Sequence, residues 1–286
     1  MTALTRRATL ASAAALAACG HNRDPDQERR THNYLATLER RLGAGARLGV
    51  AALDTSTGAR IGYRADERFA MASTFKWLLA AAALERLDHG QLIEYRADDL
   101  VSHSPISGQH VDTGMTVHQL AEAAVTVSDN AAANLLLRQL GGPEGFTVWI
   151  RNHVDSVTRL DRWETDLNEN APGDVRDTTT PLAMVNAMSR LLVGDSLRRA
   201  NRETLRAWMI ASRTGLERIR GGLPADWRVG DKTGTGMNGA VNDVAIAWPP
   251  KGGAILIAVY QDGGDPDAQT RNGVHREAGA LVADWI

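Results

Sequence analysis

Strand-like patterning at the two ends of the chain, with helical periodicity between them, is the feature that most narrows the fold. "RLGVAALDTSTGARIGY", 47–63, reads as two strands around a Thr-Ser-Thr-Gly turn. "WRVGDKTGTG", "AVNDVAIAWPP" and "GAILIAVYQD" read as three more, joined by Gly- and Pro-rich turns. From Ser73 to about Trp208 the period is helical, clearest over 73–88, 116–127, 130–140, 180–193 and 198–211. A helix ending at a glycine spans "NYLATLERRLGA", and another closes the chain over "DAQTRNGVHREAGALVADWI". The economical arrangement pairs the strands from the two ends in one antiparallel sheet. The expected fold is therefore α/β (α+β). The terminal helices flank the sheet, the middle forms an all-helical lobe, and a cleft between the two lobes holds any active site. In residues, 33–65 and 212–286 form the α/β lobe and 66–211 the helical lobe. One stretch inside the helical lobe, 159–179, has no regular pattern, and loops that long are usually functional.

With 286 residues, 43% of them hydrophobic, the chain is long enough for a sizeable core. A formal net charge of -2 and no basic stripe argue against nucleic acid as a partner. The N-terminus reads as an export signal over 1–19: Arg6 and Arg7, no acid, then a short apolar run too brief to span a bilayer. The arginine pair followed by Leu10 also fits a twin-arginine signal. Leu16-Ala17-Ala18-Cys19 resembles a bacterial lipoprotein processing site, with lipid on Cys19. The alternative is ordinary cleavage at Ala15-Leu16-Ala17. Residues 20–32 are polar and are expected to be a tether. Cys19 is the only cysteine, so the exported domain has no disulfide and its core must hold the fold unaided.

Of 32 basic residues only Lys76, Lys232 and Lys251 are lysines. Lys76 lies three residues after Ser73 in an apolar run, so both side chains share one face of a buried helix. Ser73 falls in the first turn, where backbone N–H groups favour negative charge. A buried lysine has a depressed pKa and can act as a base, which an arginine cannot. The bland reading is a helix cap at Ser73 and a snorkelling lysine. Ser128-Asp129-Asn130 lies at a junction between helical runs and reads, taken alone, as a capping turn. Lys232, Thr233 and Gly234 end a strand, where a lysine, a hydroxyl and open backbone suit a carboxylate ligand. In the irregular loop, Glu164 and Asn168 could hold a water between a base and an orienting amide, and Arg162 with Asp177 could close the loop.

Ser-x-x-Lys, Ser-Asp-Asn and Lys-Thr-Gly in this order form the signature of class A β-lactamases and penicillin-binding proteins. From about residue 33 to the C-terminus the chain resembles a class A serine β-lactamase. "SDNAAANLLL", "GMTVHQLAEAA", "DTTTPLAM" and "GLPADWRVGDKTG" carry the likeness. The resemblance implies hydrolysis of the β-lactam amide through a serine acyl-enzyme, and antibiotic resistance. It makes Ser73 the nucleophile, gives Lys76 and Glu164 its activation, and makes Ser128 a proton relay to the leaving nitrogen. The backbone N–H groups of Ser73 and Thr235 would form the oxyanion hole. Asn130 would bind the substrate's side-chain amide. Lys232, Thr233, Thr235 and Arg218, with Gly234 between them, would take its carboxylate. Which of Lys76 and Glu164 takes the proton in acylation stays open. No cofactor or metal is implied: the eight histidines show neither H-x-H nor H-E-x-x-H spacing. A monomer in the periplasm is expected, anchored if Cys19 is lipidated.

Three positions depart from the family pattern. Thr165 follows Glu164 where proline is common and the peptide is often cis. His103 stands where many members place a larger aromatic at the cleft rim. Ala72 and Gly236 occupy positions that carbapenem-hydrolysing members often join by a disulfide, although Thr235 and Arg218 still resemble that subgroup. Penicillins are the expected substrates, then cephalosporins, with carbapenems open. The rival readings are a D,D-peptidase and a non-hydrolytic β-lactam sensor. Both lack a base for deacylation, so Glu164 with Asn168 argues against them.

Overall fold

The computed structural model describes residues 25–286. The chain opens with α1 (Pro25–Arg41) and the hairpin β1 (Arg47–Asp54) and β2 (Arg60–Tyr63). It then enters a helical region through β3 (Phe69–Ala70) and a 3₁₀ turn, Ala72–Thr74. That region holds α2 (Phe75–Arg86), the short strands β4 (Leu92–Ile93) and β5 (Met115–Thr116), α3 (Val117–Thr126), α4 (Asn130–Gln139) and α5 (Gly142–His153). A loop ending in β6 (Thr178–Thr179) leads to α6 (Pro181–Met188) and α7 (Arg199–Ala211). After the short α8 (Ile219–Gly222) come β7 (Arg228–Thr235), β8 (Val241–Trp248), β9 (Ile255–Asp262) and α9 (Ala268–Trp285).

Strands from both ends meet as expected. The five-stranded sheet has the order β2-β1-β9-β8-β7, and β1 lies antiparallel to β9 with Val50 opposite Val259. Side chains alternate across a strand, so each one feeds two cores. On one face Val50, Ile257 and Val259 pack with Leu35 and Leu38 of α1 and Val274, Ala278 and Val282 of α9. On the other, Val244, Ile246, Leu256 and Tyr260 join the larger core of the helical lobe.

α2 is the centre of that lobe: Phe75 through Leu84 are all buried. A helix apolar on every side has no solvent face to prefer, and its neighbours enclose it. Side-chain caps fix the helices around it. The Thr116 hydroxyl accepts from Gln119 N at the start of α3, and the Thr180 hydroxyl accepts from Ala183 N at the start of α6.

Two elements differ from the sequence reading. Residues 25–32 of the expected tether are the first turns of α1, which has Pro25 at its start and Asp26 and Glu28 in its first turn. Helix α5 did not stand out in the pattern because Gly141, Gly142, Pro143 and Gly145 interrupt its start. Phe146, Trp149 and Ile150 bury its inner face and stabilise it. The export signal, Cys19 and the rest of the tether lie outside the described residues.

Candidate active site

Ser73 lies in the 3₁₀ turn just before α2, rather than in the first turn of the α-helix itself, and its neighbour Ala72 has φ 43°. Three residues on, Lys76 points from α2 with its Nζ 3.0 Å from Ser73 Oγ. That ammonium is completely buried and is a crossing point for several segments. It donates to the Ser128 carbonyl at 2.9 Å and to Asn130 Oδ1, and it pairs with Glu164 Oε1 at 2.9 Å. Ser73 Oγ also lies 3.5 Å from Glu164 Oε1, the outer limit of a hydrogen bond.

The junction between α3 and α4 supplies Ser128, whose φ of 61° puts it in the left-handed region. Positions of this kind in a non-glycine residue concentrate at functional sites. Asp129 pins the turn from beneath: its carboxylate caps α4 through Ala132 N and accepts from Ile106 N and Ser107 N, each at 2.9 Å. Ser128 Oγ receives the Lys232 ammonium at 3.0 Å, so one hydroxyl stands between the two buried lysines. Burial pushes both lysines below the ordinary lysine value. Glu164 pulls Lys76 back up, whereas Lys76 pushes Lys232 further down.

Glu164 is held on three sides. Asn168 Nδ2 donates to its Oε2 at 2.7 Å. Asn134 on α4 brackets its backbone, accepting from Glu164 N and donating to Glu164 O, both at 2.9 Å. The Glu164–Thr165 peptide is cis. The loop's neck is closed by Asp177, which accepts from Asp161 N, Arg162 N and Arg162 Nε, the last at 2.6 Å. The buried Asn168 Oδ1 has no protein partner and is free to accept from a water.

On β7, Gly234 lets the strand approach the nucleophile's turn. A Cβ there would lie 2.6 Å from Met71 O and 3.0 Å from Ser73 N. Thr233 donates to Thr214 Oγ1 at 2.6 Å, and Arg218 Nη2 donates to the Thr235 hydroxyl at 2.9 Å. Two predicted contacts are occupied differently. Asn130 has both ends of its amide engaged, with Lys76 and with the Ser102 carbonyl at 2.8 Å. His103 is exposed, its ring bonded to the Val127 carbonyl, while its own carbonyl accepts from Asn130 N. It ties the rim to the Ser128 turn. Asn134 and Thr214 were not singled out in the sequence. Asn134 had a signal, a second amide one helical turn after Asn130 in "NAAANLLL"; Thr214 had none.

A serine hydroxyl, a buried lysine and a carboxylate in mutual contact, with a second lysine and an arginine opposite, are the equipment of a serine hydrolase. The profile of the β-lactamase enzyme family matches residues 31–286. The β-lactamase AST-1 of Nocardia asteroides is 52% identical over 248 residues, 85% of this chain and 80% of that protein. A β-lactamase of Mycobacterium tuberculosis is 50% identical over 257 residues, 87% of this chain and 83% of that one. The solved structure of an ancestral (GNCA) class A β-lactamase is 54% identical with a TM-score of 0.87, covering 90% of this chain and 100% of that one. The chain belongs to the class A β-lactamases. It is a serine hydrolase of the β-lactam amide bond, an activity that confers antibiotic resistance.

Proposed function

We propose that Ser73 Oγ attacks the lactam carbonyl and that the Lys76–Glu164 pair takes its proton, directly or through water. The backbone N–H groups of Ser73 and Thr235 receive the developing oxyanion. Ser128, bonded to both lysines, returns a proton to the departing nitrogen, and the acyl-enzyme forms on Ser73. Lys232, Thr233, Thr235 and Arg218 bind the substrate carboxylate. In the second half-reaction Glu164 activates a water held by the free Asn168 Oδ1, and the ester is cleared.

The observation that carries this reading is the position of Glu164. One oxygen faces both Lys76 and Ser73 and the other is fixed by Asn168. A base so held serves deacylation, which a peptidase or a sensor does without. Penicillins are the first expected substrates, then cephalosporins. Positions 72 and 236 are adjacent, a Cβ at Gly236 falling 3.7 Å from that of Ala72, yet neither carries a cysteine. The protein is exported to the periplasm as a monomer, and Cys19 carries its lipid. Mass spectrometry of the membrane fraction tests the last point by finding or missing a diacylglyceryl N-terminus.

Intact-protein mass followed in time after adding benzylpenicillin tests the mechanism. The enzyme should show a short-lived adduct or none, while Glu164→Ala holds a stable one on Ser73. Equal adduct lifetimes in the two proteins would remove Glu164 from its role.

A further inference from the structure

Arg218 brings a guanidinium to the cleft with no carboxylate bonded to it. Its partners are the carbonyls of Gly234 at 3.1 Å and Asn242 at 2.7 Å, the Thr235 hydroxyl at 2.9 Å and Asn272 Oδ1 at 3.0 Å. All are neutral acceptors, so its charge remains available to a ligand. Two carboxyls, those of Asp243 and Asp231, lie wholly buried behind it.

These two carboxyls lie on the face of the sheet that packs against α8 and α9, the face from which Arg218 reaches Thr235. Along β8, Asn242 and Val244 face the helical lobe: Asn242 Nδ2 donates to the carbonyls of Ala70 and Met71, at 2.9 and 3.1 Å. Asp243 between them must face α8, by the alternation of a strand. There its Oδ2 accepts from Ile219 N at 3.1 Å, one residue after Arg218. Its Oδ1 has no hydrogen-bond partner. Asp231 faces the same side and pairs with Arg220. His275 completes the cluster, but burial and Arg218 hold its pKa down to about 3, so it adds no charge. Two guanidiniums thus share two buried carboxyls, and one of those guanidiniums ends in the active site. Burial and Asp231 push the Asp243 carboxyl up, and the guanidiniums of Arg218 and Arg220 oppose them.

We infer that Asp243 is a positioning residue for the substrate carboxylate. It anchors the backbone just after Arg218 by accepting from Ile219 N, and that anchor holds the guanidinium against Thr235. It touches no substrate and acts only through Arg218, so the inference rests on reading Arg218 and Thr235 as part of the carboxylate site.

Steady-state kinetics of Asp243→Ala, Asp243→Asn, Arg218→Ala and the double variant Asp243→Ala with Arg218→Ala test it. Arg218→Ala should raise KM about tenfold, the loss of one charged hydrogen-bonding group. Asp243→Ala, which leaves Ile219 N without its acceptor, should raise KM several-fold with kcat within about twofold, the pattern of lost binding rather than lost chemistry. The double variant should be no worse than Arg218→Ala alone, because Asp243 then has nothing to position. Asp243→Asn, which keeps an acceptor for Ile219 N, should leave KM near that of the unmodified enzyme, so a raised KM there would overturn the inference even if the alanine variant does not fold. Thermal melts ensure that KM is read on folded protein. An unchanged KM in Asp243→Ala, or effects that multiply in the double variant, would overturn the inference. An unchanged KM in Arg218→Ala would instead overturn the carboxylate-site reading beneath it.

Discussion

Lys232 shows at the scale of one residue how function sets itself against stability. It is wholly buried, no carboxylate is bonded to it, and its partners are the Ser128 hydroxyl and the Thr233 carbonyl. Its folded pKa lies well below 10.5, because burial and Lys76 disfavour the charge. Below that folded pKa the ammonium costs stability. Between it and 10.5 the unfolded chain binds the proton and the folded one does not, so stability rises with pH across that window. Lys232→Met should therefore be more stable at neutral pH, by about 1 kcal/mol or more, with the gap closing as pH approaches the unfolded value. Urea unfolding at several pH values checks this. The same variant should lose kcat/KM, since the carboxylate loses its cation. In the unmodified enzyme KM should climb on the alkaline side, at a pH below the ordinary lysine range. Loss of the ammonium there removes the anchor, and KM measured across alkaline pH reads it directly.

At the scale of one element, the 159–179 loop is held by its neck and by its tip. Asp177 gathers three N–H donors from Asp161 and Arg162, and its own carbonyl accepts from Met71 N at 2.9 Å. The chain just before Ser73 and the loop bearing Glu164 therefore share one fastening. At the tip, Met237 N donates to the Asn168 carbonyl at 2.8 Å, and the Asn238 amide caps the carbonyls of Glu169 and Asn170. Removing a buried charge from a paired arginine costs about 3 kcal/mol. Asp177→Asn should lower the melting temperature and let Glu164 drift from Asn168. Deacylation should then slow more than acylation, which stopped-flow burst kinetics with a chromogenic cephalosporin would show as a larger, slower-decaying acyl-enzyme. Sequence could suggest Arg162 and Asp177 as the closing pair because they stand near the loop's ends. It could not show the tip contacts, because residues 237 and 238 lie some seventy positions along the chain.

At the scale of the whole molecule, the active site is a seam between two lobes. β7 from the sheet presses its glycine against the turn that carries the nucleophile, at a spacing that leaves no room for a methyl group. Gly234→Ala should push strand and turn apart by several tenths of an ångström or more and misplace both oxyanion donors. Misplacement on the ångström scale can cost about 10²-fold in rate. The variant should keep its fold, read by circular dichroism, and lose kcat. The sequence by itself determined the architecture and most of the chemistry. Strand and helix periods, turns and caps are local properties, and so are the spacings that put Ser73 beside Lys76 and Thr233 beside Lys232. An interrupted pattern hid α5, and a polar composition hid the start of α1, since burial of one face outweighs local propensity. Only the tertiary structure decided which polar groups share a proton or a charge. Asn134 brackets Glu164 across thirty residues, Lys232 reaches Ser128 across 104, and Asp243 anchors the backbone beside Arg218 across 24. Such pairings depend on how distant segments pack, and an asparagine or aspartate in sequence looks the same whether it faces water, caps a helix or stands behind a catalytic cleft.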